Sequence, residues 1–152
     1  MRHAARILLV LIVLGFALFS GAALAQTATT PGPARPHAPH GAKVFIVSPK
    51  NGAHVGQDVL VKFGVKGIKL APSTDTAANT GHHHLLIDQK ELSPLAAPIP
   101  NDATHKHYGK GQTEDTIHLE PGDHTLQLDF ADATHMQFSP LLVSKRITIH
   151  VK

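Results

Sequence analysis

Alternation between apolar and polar or small residues is the feature that most narrows what this chain can become. In DVLVKFGVKG, residues 58–67, Val59, Val61, Phe63 and Val65 fall on one face, with Lys62, Gly64 and Lys66 on the other. A period of two is that of a half-buried strand, whose successive side chains point to opposite sides of a sheet. The pattern returns at residues 116–120, with Ile117 and Leu119 inward, and in HTLQLDF, with Leu126, Leu128 and Phe130 inward. SKRITIHVK repeats it with Ile147, Ile149 and Val151. KVFIVSP and HHHLLIDQ read as two further strands. Turn signals stand between these runs: Asn51-Gly52 within NGAHVGQ, Pro121-Gly122-Asp123, and three prolines in ELSPLAAPIPNDA. KLAPSTDTAANTG reads as a polar loop and ADATHMQFSPLL as a long loop or hairpin arm. No segment keeps a helical period over a useful length. An all-β, antiparallel β-sandwich of about six to eight strands is the expected fold, with a small barrel as second choice.

Residues 1–25, MRHAARILLVLIVLGFALFSGAALA, have a different character. Arg2 and Arg6 precede an apolar run, and Ala23-Leu24-Ala25 supplies a small-x-small cleavage site, the design of a secretory signal peptide. The run is short for a bilayer-spanning helix, which needs about 20 residues. No stable membrane anchor is therefore expected once the leader is cleaved, and the protein is expected in the periplasm or outside the cell. Residues 26–42, rich in Pro, Ala and Thr and without apolar periodicity, read as a flexible linker. The folded domain is expected over residues 43–152.

Two of the 14 Lys and Arg residues lie in the leader, so 12 face 11 acids in the remainder. With so even a balance, scattered lysines and few aromatic residues, a nucleic-acid partner is not expected. Cysteine is absent, so the domain must be held by its core without disulfides.

GHHHLLID (residues 81–88), the IPNDATHKHYGKGQTE block and the LEPGDHTLQLDFADATH block follow one another in this order. Together they resemble a family of small exported bacterial proteins, domain of unknown function 4399, over most of residues 43–152. The resemblance implies an immunoglobulin-like sandwich outside the cytoplasm and supplies no activity.

Histidine carries the chemistry. Residues i and i+2 of a strand share a face, so His82 and His84 point together while His83 points away with Leu85 and Ile87. His105 and His107 form a second such pair before the Gly109-Lys110-Gly111 turn. If the pairs meet, His82, His84, His105 and His107 present four imidazoles to one ion. Zn²⁺ and Cu²⁺ both favour imidazole, whereas soft-metal ligands are scarce: no Cys, and Met136 as the one Met beyond the leader. Asp88 is a candidate outer acceptor for a ligand ring. The alternative is a hydrogen-bond network in which Asp88, Asp102 and Glu114 order the histidines of an interaction domain. His54, His118, His124, His135 and His150 read as incidental, with His135 able to join a site only if its loop folds back.

Catalysis has little support. G-x-S-x-G, H-E-x-x-H and a cysteine nucleophile are all missing. Cleavage after Ala25 would leave Gln26 first, where a copper histidine brace needs His. The sequence therefore predicts a non-enzymatic, exported, histidine-rich domain that binds Cu or Zn for buffering or delivery. The alternative is a cell-envelope interaction domain with an envelope protein as partner. No organic cofactor is expected.

Overall fold

The alternating runs form the strands that alternation predicts. In the computed structural model, which describes residues 34–95 and 97–152, nine strands follow in chain order. They are β1 (Lys43–Ser48), β2 (Ala53–Val55), β3 (Asp58–Lys66), β4 (Lys69–Leu70), β5 (Thr80–Ile87), β6 (His105–Tyr108), β7 (Glu114–His118), β8 (Gly122–Ala131) and β9 (Ile147–Val151). The described residues contain no helix. The leader and residues 26–33 of the expected linker lie outside the described residues.

Two sheets make an all-β sandwich. One has three strands, β1-β3-β7. The other runs β2-β9-β8-β5-β4, with β6 also paired to β5. Val44, Val59, Val61, Phe63 and Ile117 of the first sheet share one core with Leu85, Ile87, Leu126, Leu128, Phe130, Ile149 and Val151 of the second. Each comes from the apolar phase of its strand, as the alternation requires.

Three features depart from the expectation. The strand count exceeds eight because NGAHVGQ, expected as turn and loop, contains β2, and residues 69–70 form β4. Both short strands pair in parallel, β2 with β9 and β4 with β5, so the sandwich is not wholly antiparallel. Runs of two and three residues are too short for periodicity to reveal, and the parallel partner is distant in sequence. The linker also stops early. Ala38 is buried in the core, and residues 36–38 run beside Ser139: Ala38 N–H donates to the Ser139 carbonyl at 2.9 Å, and Ser139 N–H to that of Pro36 at 2.8 Å. Arg35 donates to the carbonyls of Gln137 and Phe138. This strap fixes the segment after β8.

β5 is buried along its whole length. Its inner face, His83, Leu85 and Ile87, meets the core. The outer face, His82, His84 and Leu86, is covered by the segments after β5 and β8, which meet where Ile99 N–H donates to the His135 carbonyl at 2.9 Å. Placing His82 and His84 on the outer face agrees with the sequence. Their complete burial does not follow from it, because the cover comes from irregular chain.

His83 is the anomaly of the inner face. Its ring packs 5.4 Å from that of Phe63 and 5.1 Å from that of Phe130, and neither nitrogen has a hydrogen-bond partner within the protein. Burial holds its pKa down at about 4. The unfolded chain takes up this proton below about pH 6.5 and the folded one only near 4, so the ring costs stability as pH falls through that window. Replacing an unpartnered buried polar group by an apolar one of similar size removes the cost. His83→Leu is expected to raise the urea midpoint at pH 7.5 by the equivalent of about 1 kcal/mol. At pH 5 that advantage should widen by about 2 kcal/mol. A variant less stable than wild type at both pH values would contradict this account of the inner face.

Candidate metal centre

The register of β5 explains which histidines meet. Across β6, His84 lies opposite His107 and Leu86 opposite His105. Across β8, His84 lies opposite Asp129 and His82 opposite Ala131. Directly opposed residues share a face, so His82, His84, His107 and Asp129 all project from the outer face. Gly109 follows β6 directly, two residues beyond His107. A Cβ there would stand 2.5 Å from His107 Nε2 and 2.8 Å from Ser73 Oγ. Gly109 therefore leaves room for the His107 ring as well as opening the turn expected of it. Gly111, the last residue of that turn, lies in the left-handed region at φ 76°.

The fourth ring is that of His135. One ring nitrogen from each of His82, His84, His107 and His135 lies within 4.8 Å of all the others. Nε2 of His107 and Nε2 of His135 are 3.1 Å apart. Ring centroids are 4.8 Å apart for His82–His84, His82–His107 and His107–His135. Ligand nitrogens about 2.0–2.1 Å from a tetrahedral ion stand about 3.3 Å from each other. The His107–His135 pair is already near that spacing, and the wider pairs need the rings to close by up to about 1.5 Å.

Three of the four residues expected from the sequence, His82, His84 and His107, thus come together, and His105 does not. It shares the face but sits two residue pairs farther along, opposite Leu86. Its Nδ1 is 3.0 Å from Asp102 Oδ1. His135 takes its place. The reason is visible in a repeat, Asp-Ala-Thr-His at residues 102–105 and again at 132–135. In both copies the Asp Oδ1 accepts from the backbone N–H of the Thr two residues on, at 2.8 and 2.9 Å, and from its hydroxyl, at 2.8 and 2.7 Å. In the first copy the His ring folds back onto its own Asp. In the second, His135 takes a left-handed backbone at φ 63° and its ring is delivered to the cluster. Met136 N–H then takes the position on Asp132 Oδ1 that His105 N–H holds on Asp102, at 3.0 and 2.8 Å. The repeat was the available signal for His135, and its two copies share a turn but differ in outcome.

The electrostatics are those that a set of metal ligands would need. Burial, with the neighbouring histidines adding to it, lowers the pKa of His82 to about 4 and of His84 to about 2; the pKa of His107 is lowered by the same causes. These rings are neutral at pH 7, the form that donates a lone pair to a metal. His82 and His84 are fully buried, and none of their four ring nitrogens has a hydrogen-bond partner within the protein. Leaving a buried polar group so costs about 1–3 kcal/mol each.

The remaining histidines are of another kind. His118 Nδ1 pairs with Asp58 at 2.8 Å, His124 Nδ1 with Asp88 at 2.7 Å and His150 Nδ1 with Asp123 at 2.6 Å. Asp88 is thereby committed to His124 and to Thr125 N–H, so it is not the outer acceptor of a ligand ring. Asp129 is the acid on the ligand face. It is fully buried, and Gln137 Nε2 donates to its Oδ2. Burial pushes its pKa up to about 6, against the opposing effect of that hydrogen bond.

The family model described as domain of unknown function (DUF4399) matches residues 61–152. The chain belongs to this family. The match spans β5, β6 and β8 and includes all four converging histidines. No curated protein and no solved structure matches the chain.

Gly109→Ala tests the packing of the cluster. The added methyl group is expected to expel the His107 ring, moving the His107 imidazole signals in the NMR spectrum of metal-free protein while those of His83 stay in place. Unmoved His107 signals would contradict the packing described.

Proposed function

We propose that this protein is an exported binder of a divalent transition metal, Cu²⁺ or Zn²⁺, that holds the ion through His82, His84, His107 and His135 for buffering or delivery outside the cytoplasm. One observation carries the reading: four imidazoles converge, two of them half-buried and two, His82 and His84, fully buried with no hydrogen-bond partner for their nitrogens within the protein. A hydrogen-bond network would have satisfied them. Metal coordination supplies the missing partner, and an all-nitrogen set matches the borderline ions. The leader-like residues 1–25 support export, and the role is one of binding rather than catalysis.

A second reading, an envelope interaction domain ordered by histidine hydrogen bonds, draws on a different set of residues. His105, His118, His124 and His150 each pair with an aspartate. These pairs account for the outlying histidines and leave the cluster to the metal.

Calorimetric titration of purified, untagged protein with Cu²⁺ and Zn²⁺ at neutral pH tests the proposal. One ion per chain is expected. His135→Ala should weaken binding by roughly 100-fold or more, since loss of a ligand exceeds the usual effect of an outer contact. His105→Ala should leave affinity within about twofold, as its ring is held by Asp102. Equal affinity in wild type and His135→Ala would refute the assigned ligand set.

A further inference from the structure

Four imidazoles holding a divalent ion leave a partly buried charge of +2 with no counter-charge among the ligands. Taking such a charge out of water is costly unless an opposite charge is near. Among the described residues, Asp129 is the only buried acid. It stands directly opposite His84 across the β5–β8 ladder, on the ligand face. Directly opposed side chains have Cβ atoms about 4.5–5.5 Å apart, within reach of a carboxylate and an imidazole.

We infer that Asp129 is the outer partner of the metal centre: its carboxylate receives the N–H of the His84 nitrogen that does not face the ion, and supplies the negative charge that the four ligands lack. Two groups point to this pairing. Asp129 Oδ1 has no hydrogen-bond partner within the protein, and neither has either nitrogen of His84. Two unsatisfied groups of complementary chemistry thus face the same site on neighbouring strands. Asp129 is not itself one of the converging ligand groups, which fits an outer contact.

Gln137 gives the arrangement its second element. It is fully buried and donates to Asp129 Oδ2, leaving Oδ1 for the ring. Gln137 also lies two residues beyond His135, and Arg35 donates to its carbonyl at 3.1 Å. One side chain therefore orients the carboxylate from the same segment that delivers the fourth ligand. Asp129 and Gln137 are positioning residues that act through His84.

This inference rests on the metal-binding reading, and its test separates the two. Zn²⁺ affinity is measured by chelator competition in wild type, Asp129→Asn and Gln137→Leu, alongside urea unfolding of each metal-free protein and the Cu²⁺ electron paramagnetic resonance spectrum. Asp129→Asn is expected to bind Zn²⁺ 10- to 100-fold more weakly. Its metal-free midpoint should be equal to or above that of wild type, because a buried carboxylate with one free oxygen has been removed. Gln137→Leu should shift affinity in the same direction by a smaller factor, and serves alone if Asp129→Asn does not fold. Both variants should alter the Cu²⁺ hyperfine coupling. Wild-type affinity and an unchanged spectrum in both variants would overturn the role of Asp129 while leaving the metal site standing. Failure of wild type to bind either ion would overturn the metal-binding reading and this one with it.

Discussion

Burial of β5 on both faces is the constraint on which the rest depends. A strand with GHHHLLI at its heart could have kept its histidines in water. Instead, irregular chain from residues 88–95, 97–104 and 132–143 closes over the outer face, leaving His82 and His84 fully buried without hydrogen-bond partners in the protein. Polar groups held in that way cost free energy that the sandwich core must offset. A fold that tolerates several of them side by side stores a binding capacity that an ion can discharge. An ion at 100 times its dissociation constant would return about 3 kcal/mol to the folded state. The covering segment is itself tied down, by Asp132 at its turn, by the Arg35 strap and by Gln137 on Asp129.

The aspartate-paired histidines and the clustered ones stand in different environments. His118, His124 and His150 pair with aspartates, and for His118 the Asp58 hydrogen bond raises the pKa. For His124, burial alone would lower it, but hydrogen bonds to Asp88 and to the Glu120 carbonyl prevail and raise it. His82 and His84 are shifted the other way by burial and by the neighbouring histidines. One residue type thus stands both as the partner of surface aspartates and as a buried ring with no partner in the protein. Register sorts His105 and His107: buried His105 lies opposite Leu86 and turns to Asp102, while half-buried His107 lies opposite His84 and joins the cluster.

Much of this was legible in the sequence. Alternation in DVLVKFGVKG and HTLQLDF located β3 and β8 and their inward residues, because the period of a strand is local information. The i, i+2 rule placed His82 and His84 on one face and His83 on the other for the same reason. The grouping of ligands was only partly legible. His107 and His105 have equal claims by spacing, and cross-strand register alone separates them. His135 came from a loop whose path depends on a left-handed residue and on contacts with residues 35–38 and 99, all far apart in sequence. Asp129 was hidden for a further reason. In LQLDFA it occupies the outward phase of the alternation, where an acid is ordinarily solvated, and the segment that buries it follows only later in the chain.

The most direct test of the central claim is X-ray absorption spectroscopy at the metal edge of protein loaded with one equivalent of Zn²⁺ or Cu²⁺. The account predicts a shell of nitrogen ligands at about 2.0 Å, with the outer-shell scattering of four imidazoles and no sulfur. A shell dominated by water or carboxylate oxygen, with one or two imidazoles, would mean that the buried cluster is not where the ion binds.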